Sequence, residues 1–311
     1  MHFHEVANVY YFILNPSSQS KGARGTWSTI LKEIRKRNIP YKVYSTHYEG
    51  HATVLATQIS RHDPYATIIA VGGDGTIHDI LCGLHNIGTI TFGVIPSGSG
   101  NDFARGMHIS MKTEDAVRTV LMPKKFVQMD VGTIAETSYR FGVSCGIGYD
   151  ASVCHEALKS PIKDILNRLG LGQLTYSVIA LKQIFMYPPC AMAVDLDDGR
   201  HILYKKAYCA AIMNQPYEGG GLKMVPSALS DDGYLDVMVV GNVSKFRIFT
   251  MLPTAFFGRH TRLKGLDFLH CREIHIRTKN KCPIHLDGES GGISNELYVK
   301  LVPEKLRVIS G

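Results

Sequence analysis

No two of the seven cysteines stand in a CxxC pair, and their number is odd. Cys82, Cys145, Cys154, Cys190, Cys209, Cys271 and Cys282 are scattered through the chain, so neither a disulfide framework nor a structural zinc site is expected, and the expectation is a reduced, cytoplasmic protein. No run approaches the roughly 18 apolar residues of a membrane span, and no basic segment precedes the short apolar run at 9–14, so the reading excludes a signal peptide. Low complexity is absent as well: 45% of the residues are hydrophobic and 20% charged, which excludes a largely disordered or collagen-like chain. What is present is 311 residues and a mild net charge of +7. The length argues for two domains, or one with a large appendage. The charge fits an anionic partner such as a nucleotide or an acidic membrane surface.

The first ~125 residues alternate strand and helix patterns. Continuous apolar runs at 9–14, 66–71 and 89–95, with Tyr41–Ser45, read as strands. Helical periodicity falls at 27–37, 52–60, 77–86 and 114–122. This alternation predicts a parallel sheet covered on both faces. After about Pro123 strand-like runs follow one another at 126–134, 139–145, 191–196, 202–213, 234–240, 273–277 and 282–286, with hairpin turn residues between them. One helical region, about 161–186, interrupts them. The expected fold is an α/β domain over 1–125 and an antiparallel β-sandwich over 126–299.

The strongest motif is Gly72-Gly73-Asp74-Gly75-Thr76, between a buried strand and a helix. Its glycines let a ligand approach the main chain, and the free amides of the helix start form an anion site. Asp74 would repel a bare phosphate, so a divalent cation such as Mg²⁺ is expected between them. The motif is no Walker A loop, because no Gly-Lys-Ser/Thr follows. It is no dinucleotide fingerprint either, because His78 stands where the third glycine belongs. A second loop, Pro96-Ser97-Gly98-Ser99-Gly100-Asn101-Asp102-Phe103-Ala104-Arg105, follows the next strand, and a third, Asn15-Pro16-Ser17-Ser18-Gln19-Ser20-Lys21, follows the first. Open α/β sheets bind ligands along that edge, and Lys21 offers a mobile point charge. Gly146-Ile147-Gly148-Tyr149-Asp150-Ala151 matches GxGxxA but lacks the acidic residue about twenty positions on. If 284–289 is extended, Asp287 and Glu289 share a face, and one of them can take a proton from an attacking hydroxyl.

These segments together resemble the catalytic family of diacylglycerol kinases, in its bacterial soluble lipid-kinase branch. The matches are Asn15-Pro16, Gly72 to Thr76, Pro96 to Arg105, Gly146 to Ala151 and Leu286-Asp287-Gly288-Glu289, in order along nearly the whole chain. The resemblance implies that 1–125 is an α/β nucleotide-binding domain of the NAD kinase/diacylglycerol kinase type, with the tail at about 300–311 packing back on it, and that 126–299 is a β-sandwich lipid-substrate domain; it implies ATP and Mg²⁺ as cofactors and transfer of the γ-phosphate to a lipid hydroxyl, foremost that of diacylglycerol. It implies that Asn15, Pro16, Ser17, Ser18, Thr46, Gly72, Gly73, Asp74, Gly75, Thr76 and Ser99 line the nucleotide site, with Asn101 and Asp102 close by. Asp74 would serve the metal–phosphate centre, and Glu289 or Asp287 would accept the proton. Leu229, Asp232 and Tyr234 match a structural Mg²⁺ turn. Two departures stand out. Ser99 replaces the usual Thr, and the first loop lacks an early glycine, which leaves the role of Lys21 open. The implied partner is a lipid at the inner membrane face, approached through the apolar–basic segments 171–186 and 245–259, with no nucleic acid; a homodimer is compatible with this. The competing readings are a kinase for NAD or another soluble alcohol, and a catalytically silent, nucleotide-regulated lipid-binding protein.

Overall fold

A computed structural model describes residues 9–18, 23–159 and 175–311. Lys21 and the segment 160–174, which carries much of the helical region expected at 161–186, lie outside the described residues. The chain divides into two compact units, Met1–Met129 with Glu304–Gly311, and Asp130–Pro303.

The first unit is built on strands β1 (Tyr10–Leu14), β2 (Tyr41–Ser45), β3 (Thr67–Gly72), β4 (Thr91–Pro96), β5 (Lys125–Met129) and a strand from the far end of the chain, Leu306–Ser310. The sheet order is β2-β1-β3-β4, then the C-terminal strand, then β5. Neighbours from β2 to the C-terminal strand run parallel, and β5 is antiparallel. β3 is buried along its whole length, as a central strand covered on both faces must be. Its connections are the helices α1 (Ala23–Arg37), α2 (His51–His62), α3 (Asp74–Gly83), α4 (Asp102–Gly106) and α5 (Thr113–Leu121). In α2 the buried Ala52, Leu55, Ala56 and Ile59 recur three and four apart, the spacing of one helix face.

The second unit holds β6 (Gly132–Ile134), β7 (Arg140–Phe141), β8 (Ser144–Gly148), α6 (Tyr149–Lys159), α7 (Thr175–Met186), β9 (Cys190–Leu196), β10 (His201–Met213), β11 (Tyr217–Glu218), β12 (Leu222–Lys223), β13 (Leu235–Gly241), α8 (Lys245–Ala255), β14 (Leu266–Cys271), β15 (Glu273–Leu286) and β16 (Glu289–Leu301), which makes the C-terminal strand β17. The long strands β10 and β15 each pair with β9 at one end and with β8 at the other. Register shifts interrupt both, near Tyr204/Ala207 in β10 and Arg277/Cys282 in β15. Strands that bend at such irregularities pass from one layer to the other, which is how a single hydrogen-bonded path makes a sandwich. Side chains alternate accordingly. Ala210 and Ile212 of β10, with Leu235, Val237 and Val239 of β13, enter an all-strand core. Cys209, Ala211 and Met213, with Met238 and Val240, face α6, α7 and α8 instead.

Three expectations need correction. The run at 126–134 is not one strand, because Asp130 breaks it: its amide donates to the Ser230 carbonyl and its carboxylate accepts from the Gly233 amide. The runs at 273–277 and 282–286 are one bulged strand. The β-rich half also holds α6 and α8, where one helical region alone was expected.

Leu306, Val308 and Ile309 of β17 are buried, and each such side chain contributes about 1.5–3 kcal/mol. A chain shortened to 1–303 is therefore expected to lose the folding of the first unit, seen as early proteolysis of that unit and a missing step in its urea unfolding curve.

Candidate functional site

Four adjacent parallel strands of the first unit end side by side, and the residues that follow them carry the chemistry. Asn15 follows β1; its backbone amide donates to the Val71 carbonyl at 3.1 Å, and its side-chain amide donates to Thr76 Oγ1 at 2.9 Å. Pro16, Ser17 and Ser18 form a short 3-10 turn closed by the Ser17 amide on Asn15 Oδ1 at 3.0 Å. Thr46 follows β2 and donates its amide to the Leu14 carbonyl at 2.8 Å. Gly73 begins α3 in an extended conformation, so the amides of Asp74, Gly75 and Thr76 fall in the first turn, where no intrahelical acceptor exists. Ser97 follows β4 and donates to the Gly72 carbonyl at 2.9 Å.

The two glycine loops touch. A Cβ on Gly98 would stand 2.6 Å from Gly73 Cα, and one on Gly73 would stand 2.9 Å from Gly98 Cα. Both positions therefore require glycine for space, independent of backbone angle. Asn101, at φ 54°, closes the second loop by bonding Gly98 in both directions, at 3.0 and 2.8 Å. Asp74 Oδ1 accepts the Phe103 amide at 3.2 Å, which ties the first turn of α3 to that of α4. Asp102 is buried, with Arg105 3.7 Å from its carboxylate, and Ser99 lies exposed on the loop. The structure places Asn15 to Ser18, Thr46, Gly72 to Thr76 and Ser99 to Asp102 at or just beyond the ends of β1 to β4, and Lys21 lies outside the described residues.

In the second unit the acidic segment is not extended as expected. Leu286 pairs with Glu289 across a two-residue turn, with Asp287 at φ 50° and Gly288 at φ 87°, the signature of a tight hairpin. Strand alternation therefore does not relate Asp287 to Glu289. Asp287 accepts three backbone amides, from Gly142, Val143 and Ser144, at 3.0, 2.8 and 3.0 Å. Its carboxylate is committed to holding the loop before β8. Glu289, the first residue of β16, is half-buried. Leu229, Asp232 and Tyr234 share the turn before β13, where Asp232 accepts the Tyr234 amide at 3.0 Å.

One group escaped the sequence reading. Asp150, Glu218 and His285 converge inside the second unit, with His285 Nε2 3.4 Å from Asp150 and 3.6 Å from Glu218. A Cβ on Gly146 would lie 2.1 Å from the Asp150 carboxylate and 2.5 Å from His285 Nε2. Gly146 of the GxGxxA segment thus makes room for this cluster, whereas a Cβ on Gly148 would meet the Tyr208 carbonyl at 2.4 Å. Burial opposes charge on His285, but Glu218 and Asp150 outweigh it, and the imidazole is pushed up to about 9. Burial lifts the Glu218 carboxyl above its usual range. Cys154, Glu218 and His285 place donor atoms within 4.8 Å of one another. In the neutral ring, however, the Gly288 amide on Nδ1 at 3.4 Å directs the ring proton to Nε2, where a metal would have to bind. Burial, then Glu218 and Asp150, push the Cys154 thiol up. The three segments are far apart in sequence; Asp150 and His285 each sat in a motif singled out for other residues, and Glu218 sat in none.

The diacylglycerol kinase catalytic domain model matches residues 9–134, and the YegS C-terminal NAD kinase beta sandwich-like domain model matches residues 143–310. The chain belongs to the diacylglycerol kinase-like family of lipid kinases. It is 31% identical to a Bacillus subtilis relative named "Putative lipid kinase YtlR", over 96% of this chain and 98% of that one. It is 25% identical to a Staphylococcus saprophyticus diacylglycerol kinase, over 90% of this chain and 88% of the relative. A crystal structure of a Bacillus anthracis diacylglycerol kinase superposes with a TM-score of 0.74 at 18% identity, covering 98% of this chain and 97% of that one, which shows the shared fold. The chain is a phosphotransferase with an alcohol acceptor, and the phosphate donor of such kinases is ATP.

Gly98→Ala is expected to cost about 1–3 kcal/mol, as overpacking does, with the loss read by urea unfolding. His285→Gln leaves two buried carboxylates without their cation and is expected to cost about 3–5 kcal/mol. His285 also carries a sign. Its folded pKa lies above its ordinary value, so its stabilisation is present below 6.5 and is lost as pH rises through about 9. Urea unfolding across that range should show this decline in the native protein and a shallower one in His285→Gln.

Proposed function

We propose that this lipid kinase phosphorylates diacylglycerol to phosphatidic acid. The loops of the first unit hold the triphosphate of ATP, and the acidic turn of the second unit serves the acceptor hydroxyl. The observation that carries this reading is the mutual contact of the Gly73 and Gly98 loops at the sheet edge, which sets first-turn amides of α3 beside a second polar loop. Such a surface favours anionic oxygens. In the reaction the lipid hydroxyl oxygen bonds to the γ-phosphorus, the bond from that phosphorus to the β,γ-bridging oxygen breaks, and ADP leaves. Glu289 accepts the hydroxyl proton. Asp287 is unsuited to that role because three amides already occupy its carboxylate.

Mg²⁺ suits the donors on offer, which are hard oxygens throughout. Asp74 would serve the nucleotide-bound ion; the carbonyls of Leu229 and Tyr234, with the Asp232 carboxylate, would hold a structural one. An ion held at Asp74 would neutralise phosphate charge. Asn15, Pro16, Ser17, Ser18, Thr46, Gly72, Gly73, Gly75, Thr76, Ser99, Asn101 and Asp102 are proposed as the nucleotide-facing set, and Lys21 is carried with them on sequence grounds alone. The enzyme is proposed to work at the inner membrane face.

A panel of labelled-ATP assays tests the substrate. Diacylglycerol in mixed micelles is expected to give the highest kcat/KM, and preference for a sphingoid base or for a water-soluble alcohol would refute the proposal. Within the acidic turn the two carboxylates should separate cleanly. Glu289→Gln is expected to lower kcat by about 10²–10⁴-fold with its melting temperature unchanged. Asp287→Asn is expected chiefly to lose stability, by about 1–3 kcal/mol.

A further inference from the structure

A surface helix needs one apolar stripe, and α8 has two. Ile248, Met251 and Ala255 are buried, and Ile248, with Leu252, packs into the core shared with α6 and α7. On the opposite side Phe246, Phe249 and Pro253, continuing to Phe256 and Phe257 beyond the helix, form a second stripe with steps of three and four residues. This second stripe is open to water: Phe246 and Phe257 are each 74% exposed, and Phe249 and Phe256 are exposed too. The end of α7 extends it. Phe185 is 62% exposed, its ring lies 6.4 Å from that of Phe249, and its carbonyl accepts from Lys245 Nζ at 2.5 Å. Soluble proteins rarely leave so continuous an apolar patch uncovered without a partner for it.

The charge around the patch identifies the partner. Between Gly241 and Asp267 the chain carries five Lys or Arg and no Asp or Glu. Lys245 and Arg247 flank Phe246, and Arg259 lies over the Phe257 ring at 6.0 Å. Gly258, at φ 64°, makes the turn that carries the chain from Phe257 to Arg259. The nearby Lys182 is paired with Glu156 at 2.7 Å and adds little. Phenylalanines projecting from a basic rim suit a surface with an acyl interior and anionic headgroups. A second copy of the chain suits it poorly, because a symmetric dimer through this patch would press the basic rim against itself.

We propose that the stripe Phe246, Phe249, Phe256 and Phe257, with the end of α7 and the rim of Lys245, Arg247 and Arg259, is the surface by which the protein inserts shallowly into an anionic bilayer. The inference rests on the lipid-kinase reading for its physiological purpose, but its physical test does not. It also separates two demands on the enzyme: the patch concerns access to the membrane and takes no part in phosphoryl transfer.

The experiment is flotation of the full chain with vesicles of neutral phosphatidylcholine, alone or mixed with anionic phosphatidylglycerol, joined to turnover on two forms of diacylglycerol. Wild type is expected to float with the anionic vesicles and to remain largely free of the neutral ones. Phe246→Ser/Phe257→Ser and Arg247→Glu/Arg259→Glu should each lose about tenfold or more of that binding. Both variants should keep wild-type turnover on a short-chain diacylglycerol dispersed as monomers and lose it on the vesicle-bound long-chain lipid. The inference is overturned if the variants float like wild type, if wild type ignores anionic vesicles, or if sedimentation shows a wild-type dimer that the Phe variant dissociates. Failure of wild type to phosphorylate either form, with flotation intact, would refute the substrate reading and leave the docking surface standing.

Discussion

The first unit depends on a contact that allows no side chain. Gly73 and Gly98 approach so closely that a single Cβ on either would meet the other's backbone. Everything proposed for the nucleotide follows from that approach. It places two loops, each following a buried strand, side by side, and Asp74 completes the junction by accepting the Phe103 amide. The side chain expected to serve the metal–phosphate centre is therefore also part of the mortar between the loops. Substitutions at Asp74 should be interpreted with both roles in view, because Asn keeps an acceptor for Phe103 and Ala does not.

The second unit puts its carboxylates to three different uses. Asp287 is spent on three amides and shapes the loop before β8. Asp150 and Glu218 flank the buried His285, whose Nε2 lies 3.4 and 3.6 Å from their carboxylates. Glu289 begins a strand just beyond the tight turn. Neighbouring acids with such unlike surroundings are how one fold assigns structural and chemical work to the same residue type. The imidazole joins two of these groups, since its Nε2 faces the buried pair and its Nδ1 meets the amide of the turn residue Gly288. The turn that presents Glu289 thereby lies directly against this cluster.

Much of this was legible from residue order alone. The parallel strands β1, β3 and β4 are continuous apolar runs because both of their faces are covered, and the glycine loops were visible because each follows such a run. The acidic hairpin was legible as residues but not as geometry: Asp287-Gly288 is a turn pair, and only the positive φ values show that strand alternation fails there. Asp130 divided an apparently continuous strand through hydrogen bonds to residues a hundred positions away, which no local pattern encodes. The Asp150–Glu218–His285 cluster was illegible for the same reason, and its one visible trace, Gly146, resembled a phosphate loop. In α8 the apolar residues fall on both sides of the helix, so the segment was legible as apolar and basic but not as a helix, because such a pattern loses the period that marks one.

The central claim is that the turns at 72–76 and 97–103 grip a triphosphate through their main-chain amides. Hydrogen–deuterium exchange of the full chain with and without Mg²⁺ and ATP measures this at the amides themselves. The account predicts slowed exchange in both turns together on nucleotide addition, with the acidic hairpin at 286–289 far less affected. ATP binding at full stoichiometry with exchange in both turns unchanged would contradict it.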